Sequence, residues 1–305
     1  MVRCARSPTE SPRDLVRSRT RGALPDVADS GGREVSSSEG KRTGSEFDRL
    51  IAEAEALPVT GWDTSPVQGR WTSDAAPWDY RTLVLERLKS AKSVLDLGTG
   101  GGEFLSSLLP LPQETYATEG YAPNLRIARL RLEPLGVRVI PIQSDNRIDL
   151  PTGSVDLVLS RHEEFDAKEV YRMLPPGGIF LTQQVGARNN EEINQRLGAA
   201  SGPATNAVGS ALELATEISS AGFRILAQED ARYEGRFFDV GALIWYLRFA
   251  PWQIPRFSVS RYREALKGIH DEIESTGAFR VTEHRLLVCA RRAQFPESPR
   301  SLGLR

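Results

Sequence analysis

The chain has 305 residues, 40 acidic against 39 basic, for a net charge of −1, so it has room for one large α/β domain with extensions and no field that would gather nucleic acid. Its two cysteines, Cys4 in a polar stretch and Cys289 in an apolar one, argue against a disulfide or a metal site and for a reducing, cytoplasmic setting. The best apolar run, GALIWYL, stops at Arg248, far short of a membrane span, so no membrane partner is expected.

Residues 1–44 are rich in Ser, Arg, Gly and Pro without periodicity, and disorder is expected there, as it is for a flexible end at 293–305. A helical or lid-forming segment is expected over 45–92. In SEFDRLIAEAEALP, Phe47, Leu50, Ile51, Ala54 and Leu57 repeat at helical spacing behind Ser45 as a cap. A second helix, PWDYRTLVLERLKSA, offers Tyr80, Leu83, Val84 and Leu88 as an apolar face. Between the two, GWDTSPVQGRWTSD reads as a loop carrying Trp62, Arg70 and Trp71, which either folds over a ligand or packs on the core.

The next segment, VLDLGTGGGEFL, turns from a buried strand into a helix through Asp96, Gly98, Thr99, Gly100, Gly101 and Gly102. Glycine there admits positive φ and lets a ligand lie against bare backbone. Glu119 closes the following strand, ETYATE, so two carboxylates end adjacent parallel strands and face one crevice. A dinucleotide turn, G-x-G-x-x-G, would need its third glycine where Glu103 stands, and an acid in the turn would repel pyrophosphate while suiting an ammonium.

The pattern D-x-G-x-G-x-G over Asp96–Gly102 resembles motif I of the class I S-adenosylmethionine-dependent methyltransferases, of the type 11 group. The resemblance continues through a third strand at Val137–Ile142, a fourth at Val155–Ser160, and the helix, Pro-Gly-Gly turn and fifth strand of YRMLPPGGIFLTQQ. It implies a Rossmann-like, doubly wound α/β sheet of seven strands over 93–292, the last antiparallel, with S-adenosyl-L-methionine as cofactor. It implies a donor site of Asp96, Gly98, Thr99, Gly100, Gly102, Glu119, Gly120 and Ser160, with Asp145 and Asn146 at the adenine. This reading requires the glycine bend to be free of covering side chains.

After the fourth strand come Arg161, His162, Glu163, Glu164 and Phe165. A neutral His162 at a carboxyl strand end suits a general base, or simply bonds the strand end. Glu163 and Glu164 suit a cationic acceptor, or a solvated helix start. The residues 160–163 lack the Asn/Asp-Pro-Pro-aromatic run of enzymes that methylate base amines, and no cysteine stands there to attack a pyrimidine.

The segments ISSAGFRILAQEDAR and VTEHRLLVCARR read as the sixth and seventh strands. Between them Tyr233–Phe279 forms an aromatic-rich helical insertion whose last helix closes at Gly277. Its aromatics either wall an acceptor pocket, with Trp245 and Tyr246 joining Trp71 and Arg161, or form the insertion's own small core. The favoured function is methyl transfer to an oxygen or nitrogen of a small molecule. An RNA methyltransferase, which would cluster Arg70, Arg126, Arg129, Arg131 and Arg236 around the pocket, and a non-catalytic donor-binding protein are the alternatives.

Overall fold

The computed structural model describes residues 45–60, 62–142, 147–199 and 208–294. The expectations for residues 1–44, for most of 293–305 and for Asp145 and Asn146 therefore lie outside the described residues.

Eight strands form one sheet: β1 (Trp71–Ser73), β2 (Ser93–Leu97), β3 (Glu114–Glu119), β4 (Arg138–Pro141), β5 (Leu157–Arg161), β6 (Ile179–Val185), β7 (Phe223–Phe237) and β8 (Phe279–Arg292). Their order is β1-β7-β8-β6-β5-β2-β3-β4. β2 to β6 run parallel, whereas β8 lies antiparallel between β6 and β7, which is the reversed last strand expected from the sequence. The helices are α1 (Glu46–Ala56), α2 (Tyr80–Leu88), α3 (Glu103–Ser106), α4 (Ala122–Leu132), α5 (Ala167–Met173), α6 (Glu191–Arg196), α7 (Ala211–Ser220), α8 (Val240–Phe249) and α9 (Val259–Thr276).

Alternation along the strands divides the apolar side chains between two cores. Leu95, Val158, Phe180, Leu286 and Val288 face α5 and α7, while Val94, Leu157, Leu159, Leu181, Leu287 and Cys289 face α2, α4 and the short α3. With both faces covered, the central parallel strands are buried, and their carboxyl ends meet along one edge.

A third core unites α1, α6, α8 and α9 with Phe237 and Phe279, where β7 and β8 flank the inserted helices. Ser45 caps α1 in a reciprocal capping box with Asp48, and Gly277, at φ 85°, ends α9, both as the sequence indicates.

Two boundaries differ from the sequence reading. The end of the Trp71 loop is a strand: Trp71–Ser73 pairs with Phe237–Gly235 of β7, making eight strands instead of seven. Arg70 is the clamp that holds it, with Nε and Nη2 donating to Asp239 at 2.8 and 2.6 Å and Nη1 to Glu53 at 2.6 Å. The insertion is also shorter than Tyr233–Phe279, because residues 233–237 continue β7 in register with β8.

Candidate active site

β2 delivers Asp96 to the edge of the sheet and the chain then leaves through Gly98, Gly100 and Gly102, with φ values of 61°, 63° and 81°. These conformations suit glycine and explain the spacing of the motif. The turn is pinned to β3: Gly98 N–H donates to Thr118 Oγ1 at 3.1 Å and Thr99 N–H to Thr118 O at 2.8 Å. Gly102 then caps α3 on the side chain of Leu132, which lies 2.7 Å from where a Cβ would stand.

Asp96 is 3% exposed, and burial pushes its pKa up to about 7, offset only in part by the nearby Thr99 hydroxyl and Arg161. Glu119 accepts the Tyr121 N–H at 2.7 Å; burial raises its pKa while the amides of Tyr121, Gly100 and Gly120 pull it down. Gly120 is exposed beside it, and Ile142 is its near neighbour. A buried polar atom here, Asn124 Oδ1, has no hydrogen-bond partner among the described residues. An unpaired buried oxygen beside a glycine cradle with two carboxylates fits a polar, cationic ligand.

The bend is not open. The Glu163 side chain lies against Gly98, its Cγ 2.2 Å from where a Cβ would stand, and the Trp62 indole lies against Gly100 with Cδ1 at 2.7 Å. The requirement of an uncovered bend is therefore unmet in this conformation. Both covers are side chains, not backbone, and Trp62 is 53% exposed, so the cradle beneath them is closed by groups that rotate away without unfolding an element. A groove of about 650 Å³ runs between α1 and the start of α9, away from the turn. Glu163 is half-buried, and its pKa is pushed up to about 7, by burial first and then by the charges of Glu119, Glu164 and Asp96.

Family comparison places this arrangement. Residues 95–182, from within β2 to within β6, match the model of a family described as a methyltransferase domain. Over these residues the chain is that of a methyltransferase domain.

No curated protein gives a match. Among solved structures, a Bacillus halodurans protein taken to be a methyltransferase is similar at 17% identity, covering 82% of this chain and 100% of that one, with a TM-score of 0.48. The YcgJ protein of Bacillus subtilis is similar at 15% identity over 71% and 99%, also at 0.48. A phospholethanolamine N-methyltransferase 2 from Haemonchus contortus, in complex with phosphomonomethylethanolamine and S-adenosylhomocysteine, is similar at 16% identity over 71% and 53%, with a TM-score of 0.42. At these levels nothing about the acceptor of this methyltransferase domain follows from them.

The remaining site residues divide. Ser160 is fully buried, and its hydroxyl donates to the Glu163 carbonyl at 3.0 Å, so it shapes the turn after β5 and has no surface for a ligand. Trp245 is fully buried, stacks on Phe249 at 5.1 Å and donates to the Pro58 carbonyl at 2.9 Å; it belongs to the helical core, not to a pocket wall. Tyr246 is buried as well, its hydroxyl accepting from Asn190 Nδ2 at 2.7 Å. Trp71 stacks on Phe237 at 5.4 Å and packs edge-on against Tyr246 at 5.3 Å, again as core. Trp71, Trp245 and Tyr246 thus took the packing alternative, because a helix pair spanning β7 to β8 needs a core of its own.

Arg161 ends β5 and His162 follows it. The Arg161 guanidinium lies 5.0 Å above the Phe104 ring on α3, and His162 sits just past β5 at φ 63°. His162 is accessible yet deep. The surrounding walls, and then the charges of Arg285 and Arg161, hold its pKa well below the usual value, so the ring is neutral.

The sequence reading missed Gln183 and Gln184, the TQQ end of β6. Gln184 Nε2 donates to Ser160 Oγ and to the Glu163 carbonyl at 3.1 and 3.0 Å, and the Gln183 carbonyl accepts the His162 N–H at 2.8 Å. Their signal was position: polar amides ending an apolar strand beside the predicted active loop.

Among the described residues no cluster of metal ligands occurs, and no helix is long and apolar enough to cross a membrane.

Proposed function

We propose that this chain transfers a methyl group to an oxygen or nitrogen of a small-molecule acceptor. The observation that carries the reading is the pair of buried carboxylates, Asp96 and Glu119, set on either side of the glycine turn. Asp96 and the turn would hold the amino-acid portion of the donor, and Glu119 its ribose hydroxyls. When bound, S-adenosylmethionine supplies an already activated methyl group.

The protein's own tasks are to align the acceptor and to exclude water. Trp62, resting over Gly100, is the group positioned to shield the site. Arg161 and His162 stand on the acceptor side of the turn after β5. Glu163, on the donor side, would turn its charge toward the donor's ammonium.

The arginines that an RNA substrate would need are mostly committed elsewhere. Arg70 pairs with Asp239 and Glu53, Arg129 with Glu133, Arg131 with Glu103, and Arg236 with Asp74 and Glu234. Paired in this way, these four offer little free positive charge to a polyanion, which favours the small-molecule reading.

Calorimetry with S-adenosylhomocysteine tests the donor site. Asp96→Ala and Glu119→Ala should each weaken binding at least tenfold, and unchanged affinity in both would reject it. Labelled methyl transfer into a metabolite extract tests the acceptor class, with label confined to the RNA fraction favouring the alternative.

A further inference from the structure

A chain of three side chains decides which nitrogen of His162 carries its proton. The indole Nε1 of Trp78 can only donate, and it stands 2.8 Å from Gln183 Oε1, so that end of the amide is the oxygen. The other end, Nε2, carries two hydrogens and stands 3.0 Å from His162 Nε2. An amide N–H facing a ring nitrogen needs a lone pair there, which leaves the ring hydrogen on Nδ1.

The backbone fixes the ring from a second side. His162 N–H donates to the Gln183 carbonyl at 2.8 Å, and the residue's left-handed φ of 63° holds it just past the end of β5. Gln183 is itself 8% exposed on β6, flanked by β5 and β8, and has little freedom to turn over. Taking a proton at Nε2 would set two N–H groups against each other.

We infer that His162 meets the methyl acceptor as a hydrogen-bond donor through Nδ1, directed at an acceptor oxygen that carries no proton, and that it is not the general base. The inference rests on the methyltransferase reading only for the identity of the partner; the tautomer stands on the geometry alone. Arg161 precedes the ring in the chain and Arg285 acts on it from β8 with Nη2 paired to Glu283 at 2.7 Å, so the positive charge near the ring is only partly compensated, which suits an oxyanion over a cationic acceptor. Methyl transfer to an oxyanion breaks the sulfur–carbon bond, leaves its electron pair on sulfur and forms the oxygen–carbon bond. No proton moves, so no base is required. The acceptor class that fits such a donor without a base is an acid: a carboxylate or an ionised hydroxyl.

The test is nitrogen-15 NMR of the full chain with labelled histidine. The chain has three histidines, and His162→Asn identifies the signals that belong to position 162. The inference expects Nδ1 protonated and Nε2 unprotonated in the parent, with that preference lost in Gln183→Leu. A proton on Nε2 in the parent, or an unchanged tautomer in Gln183→Leu, overturns it.

Activity supplies the second readout, using labelled S-adenosylmethionine and a metabolite extract split by ion exchange before the reaction, each fraction being offered separately as acceptor, because the methylated product has lost the charge of the oxyanion. Label should enter only the fraction retained by an anion exchanger. His162→Asn, whose amide N–H replaces Nδ1–H and which tolerates positive φ, should retain turnover within about tenfold, while His162→Gly should lose more. Label in the cation-retained fraction, or equal loss in both variants, overturns the assignment. S-adenosylhomocysteine affinity, measured alongside, separates this failure from failure of the donor site.

Discussion

The Trp62 indole rests on the backbone of Gly100, so close that a methyl group added at the glycine would come within 2.7 Å of Cδ1. The ring is braced edge-on by Phe249 at 5.3 Å and by Trp252 at 5.9 Å, which places an aromatic trio from the loop and from α8 and its exit beside the glycine turn. A donor entering the cradle must move this indole. Trp62→Ala should therefore raise the association rate of S-adenosylhomocysteine severalfold in stopped-flow mixing. A rate equal to the parent's would show that the indole does not obstruct entry.

Gly102 and Gly136 share a left-handed conformation, at φ 81° and 83°, but differ in their surroundings. A Cβ at Gly102 would strike the buried Leu132, whereas one at Gly136 meets nothing within 4 Å. Gly136→Ala should cost only the conformational penalty, about 1–2 kcal/mol. Gly102→Ala adds overpacking and should cost about 2–4 kcal/mol. Denaturant unfolding of the two variants checks the difference, and equal losses would contradict the packing described.

Asp96 and Glu163 both titrate near pH 7 in the folded protein, raised from 3.8 and 4.5. Raised carboxyl groups favour the fold while protonated, so their contribution is present below about pH 4 and is lost as pH rises toward 7. Asp96→Asn should accordingly melt several degrees above the parent at pH 8 and near it at pH 4. The same charges attract a cationic donor once ionised. Binding of S-adenosylhomocysteine, which keeps the ammonium, should tighten from pH 6 to pH 8, with a weaker trend in Glu163→Gln. Flat melting differences across this range would show that the carboxyls are not held protonated.

Arg70 joins Glu53 on α1 to Asp239, whose Oδ1 also accepts the Ala242 N–H as the cap of α8. Its side chain is about a quarter exposed, so solvent screening reduces what the pair contributes. Arg70→Ala should cost about 1–2 kcal/mol of stability by thermal or denaturant unfolding. Donor affinity should be unchanged in the folded variant. Weakened donor affinity without loss of stability would move Arg70 from the scaffold to the site.

The donor half was legible because its chemistry is local. Asp96, three glycines at positive φ and Glu119 lie within a strand, a turn and the next strand, and each is constrained by backbone conformation or by a strand end. Capping decided α1 in the same way, through Ser45 and Asp48, three residues apart. The acceptor half was not legible. Trp71, Trp245 and Tyr246 are aromatic in a stretch suited to either a pocket or a core, and composition alone does not choose between them.

Sequence by itself determined the parallel sheet, its reversed last strand and the identity of the glycine turn, because alternation, turn conformation and the placement of acids at strand ends are short-range constraints. Only tertiary structure decided that Trp71–Ser73 joins the sheet, that Glu163 and Trp62 cover the cradle, and that Gln183 sets the proton of His162. Those outcomes depend on partners roughly 20 to 170 residues apart, brought together by sheet order and helix packing, which no local pattern encodes.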